Sequence, residues 1–203
     1  MSTVAADAIE RLDFDKGGGL VPVVAQHAFT GEVLMLGYAD REAIRRSRES
    51  GELWFHSRTR HALWRKGETS GNTLRIVSLH ADCDADAVLS RVIPAGPTCH
   101  TGSWSCFDAP PTLAALEHVL EARAAEPPAG SYTARLLADR NLRLKKLGEE
   151  ATELALACAD EQPERVAEEA ADLIYHTLVA ALAAGVAPAA VLAALERRLP
   201  SRT

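Results

Sequence analysis

Three aspartates and a cysteine fall within five consecutive positions, Asp82 to Asp86, in the stretch "HADCDADAV". The preceding residues, "SLHADCDADA", read as a continuing strand, in which side chains alternate between two faces. That reading puts Asp82, Asp84 and Asp86 on one side and Cys83 on the other. Clustered carboxylates suit a hard cation such as Mg²⁺, and a thiolate suits Zn²⁺. A solvated acidic turn is the alternative that needs no metal.

Further thiols lie downstream in "GPTCHTGSWSCF", as Cys99 and Cys106. Three cysteines with a water make an open zinc site of the catalytic type. His100 instead completes a closed Cys₃His site, although structural sites usually carry closer CxxC pairs. The non-metal alternative is three buried free thiols. Between strand signals lies "HSRTRHALWRKGETSGN", residues 56–72, a basic stretch with Arg58, Arg60, Arg65 and Lys66. Trp64 offers a face to a flat ring. The run "KGETSG" offers backbone N–H groups and hydroxyls to a phosphate; an exposed basic loop is the plainer alternative.

Carboxylates recur at helical spacing in the second half. In "LKKLGEEATELA", Glu150 and Glu153 stand at i, i+3, with Lys146 one turn before. In "AEEAADLIYH", Glu169 and Asp172 repeat the spacing, with His176 one turn on. Each set shares one helix face. Two such helices facing each other bring four carboxylates together, which is repulsive unless a cation sits among them. Two solvated glutamate-rich faces are the alternative.

These residues need positioning elements, and the chain supplies two kinds. Of its 203 residues, 47% are hydrophobic and 25% charged, an ordinary globular mixture with enough apolar material for a core in each half. From Leu20 to Ala95, short β-type runs dominate: "LVPVVAQ", "EVLMLGY", "ELWFHSRT", "TLRIVSLHA" and "AVLSRVIPA". One helix interrupts them, "DREAIRRSRES", with Asp40 as N-cap and Gly51 as stop. Pro110 and Pro111 in "FDAPPT" break regular structure and mark a linker. Beyond it four helical stretches follow, one of them "SYTARLLADRNLRLKKLGEEATELALACAD". The expected architecture is a strand-rich α+β domain over residues 1–108 and an all-α bundle over 112–203.

The net charge of −6 does not favour nucleic acid or an anionic membrane. No run of about 18 apolar residues is present to span a membrane. The first residues contain acids and no apolar core of a signal peptide, so the cytosol is the expected compartment, where the four cysteines stay reduced.

Taken together, "KGGGLVPVVAQ", "TGEVLMLGY", "SRTR", "LWRKGETSGNTL", "DCDADA" and "CHTGSWSCF" resemble phosphoribosyl-AMP cyclohydrolase over most of residues 14–107. His27 stands where that family often has an acid, and His56 where an aromatic is common. The resemblance implies a catalytic zinc on Cys83, Cys99 and Cys106, with Cys83 donated across a homodimer interface. It also implies Mg²⁺ on Asp82, Asp84 and Asp86, and hydrolytic opening of the adenine ring between N1 and C6. Zinc-activated water fits that attack, with His100 as proton shuttle or as a hydrogen-bonding neighbour. Substrate is then held by Arg58, Arg60, Trp64, Lys66, Glu68, Thr69, Ser70, Gly71 and Asn72.

Residues 113–185 resemble phosphoribosyl-ATP pyrophosphohydrolase, one of the MazG-like all-α pyrophosphohydrolases. Glu150, Glu153, Glu169 and Asp172 fall on that family's Mg²⁺-binding positions, with Glu149 in support. Lys145 and Lys146, with Arg140 and Arg143, are the expected phosphate holders. The combined expectation is a bifunctional hydrolase of histidine biosynthesis acting on small phosphoribosyl nucleotides. The alternatives are a house-cleaning nucleotide pyrophosphatase carrying a structural zinc module, and a non-enzymatic zinc-dependent interaction protein.

Overall fold

The structure, a computed structural model, describes residues 9–160 and 162–199. Residues 1–8, part of the stretch read above as lacking a leader, lie outside the described residues. The chain divides into two compact units, Met1–Pro111 and Thr112–Thr203.

The first unit is built on β1 (Val21–His27), whose side chains alternate strictly between buried and half-buried. Val21, Val23 and Ala25 are its inward set. It pairs antiparallel with β2 (Val33–Ala39) and parallel with β6 (Val88–Pro94). β6 pairs antiparallel with β5 (Leu74–Ala81), giving the sheet order β2-β1-β6-β5. The core beneath the sheet gathers Leu34, Ile44, Leu53, Phe55, Leu74, Val88 and Val92.

Helix α1 (Arg41–Ser50) starts and stops where the sequence places it. Asp40 Oδ1 accepts from the Ala43 N–H at 2.7 Å, and Gly51 closes the helix in the left-handed conformation at φ 72°. Buried Ser47 ties α1 to the next strand by accepting from the Trp54 N–H at 2.8 Å.

One alternative the sequence left open and one of its expectations fail in this unit. "ALWR" is a strand rather than part of a basic loop: β4 (Ala62–Arg65) pairs antiparallel with β3 (Trp54–Ser57) in a separate two-stranded sheet. Leu63 and Trp64 supply its apolar side by packing on the core. The strand pattern of "SLHADCDADA" ends at Ala81, and residues 82–87 form a hairpin turn into β6. Asp82 Oδ1 folds that turn by accepting from the Asp86 and Ala87 N–H groups at 2.9 and 3.1 Å. Ala85 adopts the left-handed conformation at φ 61°. Local side-chain capping therefore wins over strand alternation, as aspartates often allow.

The second unit is helical: α2 (Thr112–Ala125), α3 (Tyr132–Ala138), α4 (Arg140–Ala159), α5 (Pro163–Ala183) and α6 (Pro188–Glu196). The segment 131–160, read as one helical stretch, breaks at Asp139, whose backbone is extended. Asp139 Oδ1 caps α4 by accepting from the Asn141 and Leu142 N–H groups at 2.9 and 3.0 Å. Leu120, Leu136, Leu178 and Val179 form the core, and α4 packs along α5. Buried Glu117 caps the start of α6, accepting from the Ala189 N–H at 2.8 Å. Among the described residues no single helix is long and apolar enough to cross a membrane.

Gly37 in β2 exists for the core: a Cβ there would stand 2.4 Å from Phe55 Cδ1, inside a fully buried ring. Gly37→Ala is expected to destabilise the strand-rich unit by about 1–3 kcal/mol through overpacking. Tryptophan fluorescence in a denaturant titration checks this, because all three tryptophans lie in that unit. An unchanged midpoint would contradict the packing.

Candidate active sites

In the strand-rich unit a cavity of about 520 Å³ gathers residues from two loops. The first is the "KGETSGN" loop after β4. Gly67, at φ 83°, lets it fold back so tightly that a Cβ would lie 2.4 Å from the Asn72 carbonyl carbon. Lys66 is buried and donates to Asn72 O at 3.1 Å. The Asn72 amide then donates to Pro97 O at 2.9 Å, clamping this loop to the second one, "GPTCHTG". Gly96 is the fitting piece, since a Cβ there would meet Asn72 Oδ1 at 2.5 Å.

The clamp brings Arg60, Trp64, Lys66, Glu68, Thr69, Ser70, Asn72, Cys99, His100 and Cys106 to one cavity. Trp64 stacks on Phe55 with ring centroids 5.1 Å apart, so the core sets its orientation. Arg58 and Gly71 do not line this cavity; the Arg58 guanidinium lies 3.9 Å from the Tyr38 ring centroid.

Cys99 and Cys106 are mutual neighbours. Cys99 accepts from the Thr101 hydroxyl at 3.1 Å, which with nearby N–H groups and Cys106 pulls its thiol below the ordinary range. Burial and the Cys99 charge push Cys106 up. Burial lowers Lys66, opposed by the charges of Cys106 and Cys99. His100 Nδ1 stands 3.9 Å from Cys99 Sγ.

Cys83 is elsewhere, exposed on the 82–87 turn with its sulfur 3.9 Å from Asp84 Oδ1. Among the described residues, no group of three potential ligands within 4.8 Å includes a cysteine. One chain thus assembles two of the three expected thiols.

The turn nevertheless brings Asp82, Asp84 and Asp86 within 4.8 Å of one another. Strand alternation does not do this. The Asp82 cap and the Asp13 N–H, which donates to Ala85 O at 2.7 Å, fold the turn. Lys16 provides the balancing charge, its Nζ 2.8 Å from Asp84 Oδ2 and 3.5 Å from Asp86 Oδ2. That ammonium holds Asp84 below the usual carboxylate range. Sequence reasoning missed Lys16, because nothing in the pattern pairs residues so far apart.

In the helical unit, α4 and α5 bring Glu150, Glu169 and Asp172 within 4.8 Å. Glu150 is buried, with Lys146 Nζ 3.2 Å from its Oε1. Glu153 borders this set; partial desolvation and the charges of Glu150 and Glu169 push it up. Lys146 also pairs with Glu149 at 3.2 Å, and Lys145 pairs with Glu149 at 3.1 Å. Only Lys146 therefore contacts the carboxylate set; Lys145 stops at Glu149. Arg165 reaches Glu169 at 3.5 Å. Arg143 is committed differently from the expectation: its guanidinium donates to Leu136 O and Leu137 O, both at 2.8 Å, closing the end of α3.

His176, given no role by sequence, is buried with Nε2 3.6 Å from Glu150 Oε1. Among the described residues its Nδ1 has no hydrogen-bond partner, and burial lowers its pKa. The signal was present, since His176 lies one turn beyond Asp172 on the same helix.

Comparison with known proteins agrees with this division. Residues 35–108 match the phosphoribosyl-AMP cyclohydrolase family and residues 113–199 the phosphoribosyl-ATP pyrophosphohydrolase family. The chain is 44% identical over 200 residues to the "Histidine biosynthesis bifunctional protein HisIE" of Xanthomonas campestris, covering 97% of each chain. It is 46% identical to the protein of that name from Deinococcus radiodurans, over 94% of this chain and 93% of the other. The Escherichia coli O6:H1 protein is 49% identical, over 83% of this chain and 85% of the other.

The pairing of Lys146 with buried Glu150 predicts a specific defect. Lys146→Met keeps the alkyl stem but leaves the carboxylates uncompensated. It is expected to destabilise the helical unit by about 1–3 kcal/mol in chelator-containing buffer. Mg²⁺ should narrow that gap. Thermal melts followed by far-UV circular dichroism check this, and an equal loss with and without Mg²⁺ would contradict it.

Proposed function

The chain belongs to the HisIE family of bifunctional histidine-biosynthesis proteins, and we propose that each of its two hydrolytic domains works through metal held by the residue sets above. The helical half cleaves phosphoribosyl-ATP to phosphoribosyl-AMP and pyrophosphate. The strand-rich half then hydrolyses the N1–C6 bond of the adenine ring. The order of domains along the chain is the reverse of the order of reactions.

The observation that carries this reading is the convergence of Cys99, Cys106 and His100 on the cavity bounded by the "KGETSGN" loop. Two adjacent soft donors fit zinc, and the third, Cys83, fits only from another copy of the chain. Support for a homodimer comes from the open face of the main sheet. There Leu36, Val24 and Leu89 stand in one cross-strand row, with Leu36 45% and Leu89 36% exposed. Zinc so held would supply a nucleophilic water at neutral pH. His100, in the same cavity beside Cys99, would carry a proton to the leaving ring nitrogen. Arg60, Trp64, Lys66 and the loop from Glu68 to Asn72 bind and orient the nucleotide. Asp84 and Asp86 take Mg²⁺ in place of Lys16, with Asp82 both closing the turn and completing the set.

In the helical half, the acid pairs of α4 and α5 fit Mg²⁺ and a MazG-like arrangement. Glu150, Glu153, Glu169 and Asp172 carry more negative charge than Lys146 balances. Mg²⁺ held by these carboxylates would offset the charge of the triphosphate and supply an oriented water. Lys145 and Lys146 exchange their glutamate partners for phosphate oxygens. Unoxidised thiols at a zinc site fit a cytoplasmic setting.

Complementation tests the shared zinc site. Cys83→Ser and Cys99→Ser chains should each lose ring opening while releasing pyrophosphate normally. Unfolded and refolded together, they should regain part of the ring-opening activity, because one of the two sites in each mixed dimer draws every ligand from intact positions. No recovery in demonstrated mixed dimers would mean that each zinc site is built within one chain.

A further inference from the structure

Phosphoribosyl-AMP carries a ribose phosphate on each side of its adenine ring, so a site that grips the whole molecule must bind two phosphates at separate places. The Cys99 cavity supplies cations for one end. The β3–β4 turn, Ser57 to Ala62, carries two arginines that diverge. Arg60 lines the Cys99 cavity, whereas Arg58 lines a second cavity of about 410 Å³, together with His56 and His61. The turn is thus a wall shared by both cavities.

The second cavity has the chemistry of an anion site. Arg58 is exposed, lies over the Tyr38 ring and makes no ion pair with any described residue. Cation–π packing fixes its guanidinium without spending its charge or its donors. His56 Nδ1 lies 2.8 Å from Asp40 Oδ2, which orients the ring; Nε2 donates to an anion only when it too carries a proton. The one carboxylate in the lining, Asp40, is already engaged by His56 and by the first turn of α1. His61 holds a left-handed backbone at φ 50°. Gly18 and Gly19, at φ 62° and 92°, also line it.

The cavity beside the outer face of α1 makes the contrast. There Arg45 is bonded to Glu42 and Glu49 and Arg48 to Glu10, while Arg41 lies over Phe14. Its acids are paired with Arg45 and Arg48, and no histidine joins Arg41 in the lining.

We propose that the cavity formed by Arg58, His56 and His61 is a second anion subsite, taking one of the two ribose-phosphate arms of phosphoribosyl-AMP. The inference rests on the cyclohydrolase reading of the strand-rich half. It explains why the arginine nearest β3 is kept out of the zinc-side cavity and is left unpaired.

Steady-state ring opening in wild type, Arg58→Gln and His61→Asn tests it. Asparagine tolerates the left-handed backbone at position 61. The substrates are phosphoribosyl-AMP and two analogues, each lacking one of its two phosphates. Both substitutions should raise KM for the full substrate, Arg58→Gln by about tenfold, with kcat within about twofold. The effect should vanish with one analogue and persist with the other. A fall in kcat at unchanged KM, or equal losses on all three substrates, would overturn the proposal, because a structural role does not distinguish the two phosphates. A ³¹P NMR titration with ribose 5-phosphate gives a readout that needs no turnover. Arg58→Gln should remove part of the wild-type binding, and unchanged binding would overturn the subsite. Arg58-dependent binding in a wild type that opens no ring would refute the cyclohydrolase reading and leave the subsite standing.

Discussion

Groups of like charge cannot be gathered at one point unless positive charge is gathered with them, and both halves of this protein are arranged around that constraint. In the strand-rich half, the 82–87 turn draws three aspartates within 4.8 Å, and Lys16 reaches across to meet two of them. In the helical half, Lys146 does the same for buried Glu150, beside Glu169 and Asp172. On the metal-dependent mechanism proposed above, each lysine is the partner a divalent cation would displace or share. The lysines thus let the fold close over its carboxylates with part of their charge balanced from within the chain.

The rest of the scaffold holds these groups at fixed separations. Asn72 locks the "KGETSGN" loop to the loop carrying Cys99, so the two thiols and that loop line one cavity. The Asp139 break sets where α4 begins. Arg143, one turn into α4, seals the freed carbonyls of α3. With α4 packed along α5, that fixed start brings the Glu150 turn opposite Glu169 and Asp172. Tyr175, next to His176, is pinned through a 2.8 Å contact with the Thr133 hydroxyl. Such contacts serve chemistry by preventing the reacting groups from drifting.

Much of this was legible because it is local. The Asp40 cap, the Gly51 stop, the alternation of β1 and the helical spacing of Glu150, Glu153, Glu169 and Asp172 all follow from short-range rules. What was not legible depends on contacts between distant residues or on competition between two local rules. Lys16 meets Asp84 only after β1, β6 and β5 have been laid side by side. The aspartates looked like strand residues, but the Asp82 carboxylate preferred its own backbone and made a turn. Arg143 looked like a phosphate holder because charge is visible in sequence and unsatisfied carbonyls are not. The separation of Cys83 from Cys99 and Cys106 is a property of the fold, and spacing alone left the three thiols equivalent.

The central claim is that one chain carries two hydrolytic sites with different metal requirements. Feeding phosphoribosyl-ATP to chelator-dialysed wild-type protein, restoring metals one at a time and following pyrophosphate and the ring-opened product together tests it most directly. With Mg²⁺ alone, pyrophosphate should be released and phosphoribosyl-AMP should accumulate; subsequent Zn²⁺ should convert that pool to the ring-opened product. Ring opening by zinc-free protein, or pyrophosphate release that needs Zn²⁺ and ignores Mg²⁺, would contradict the account.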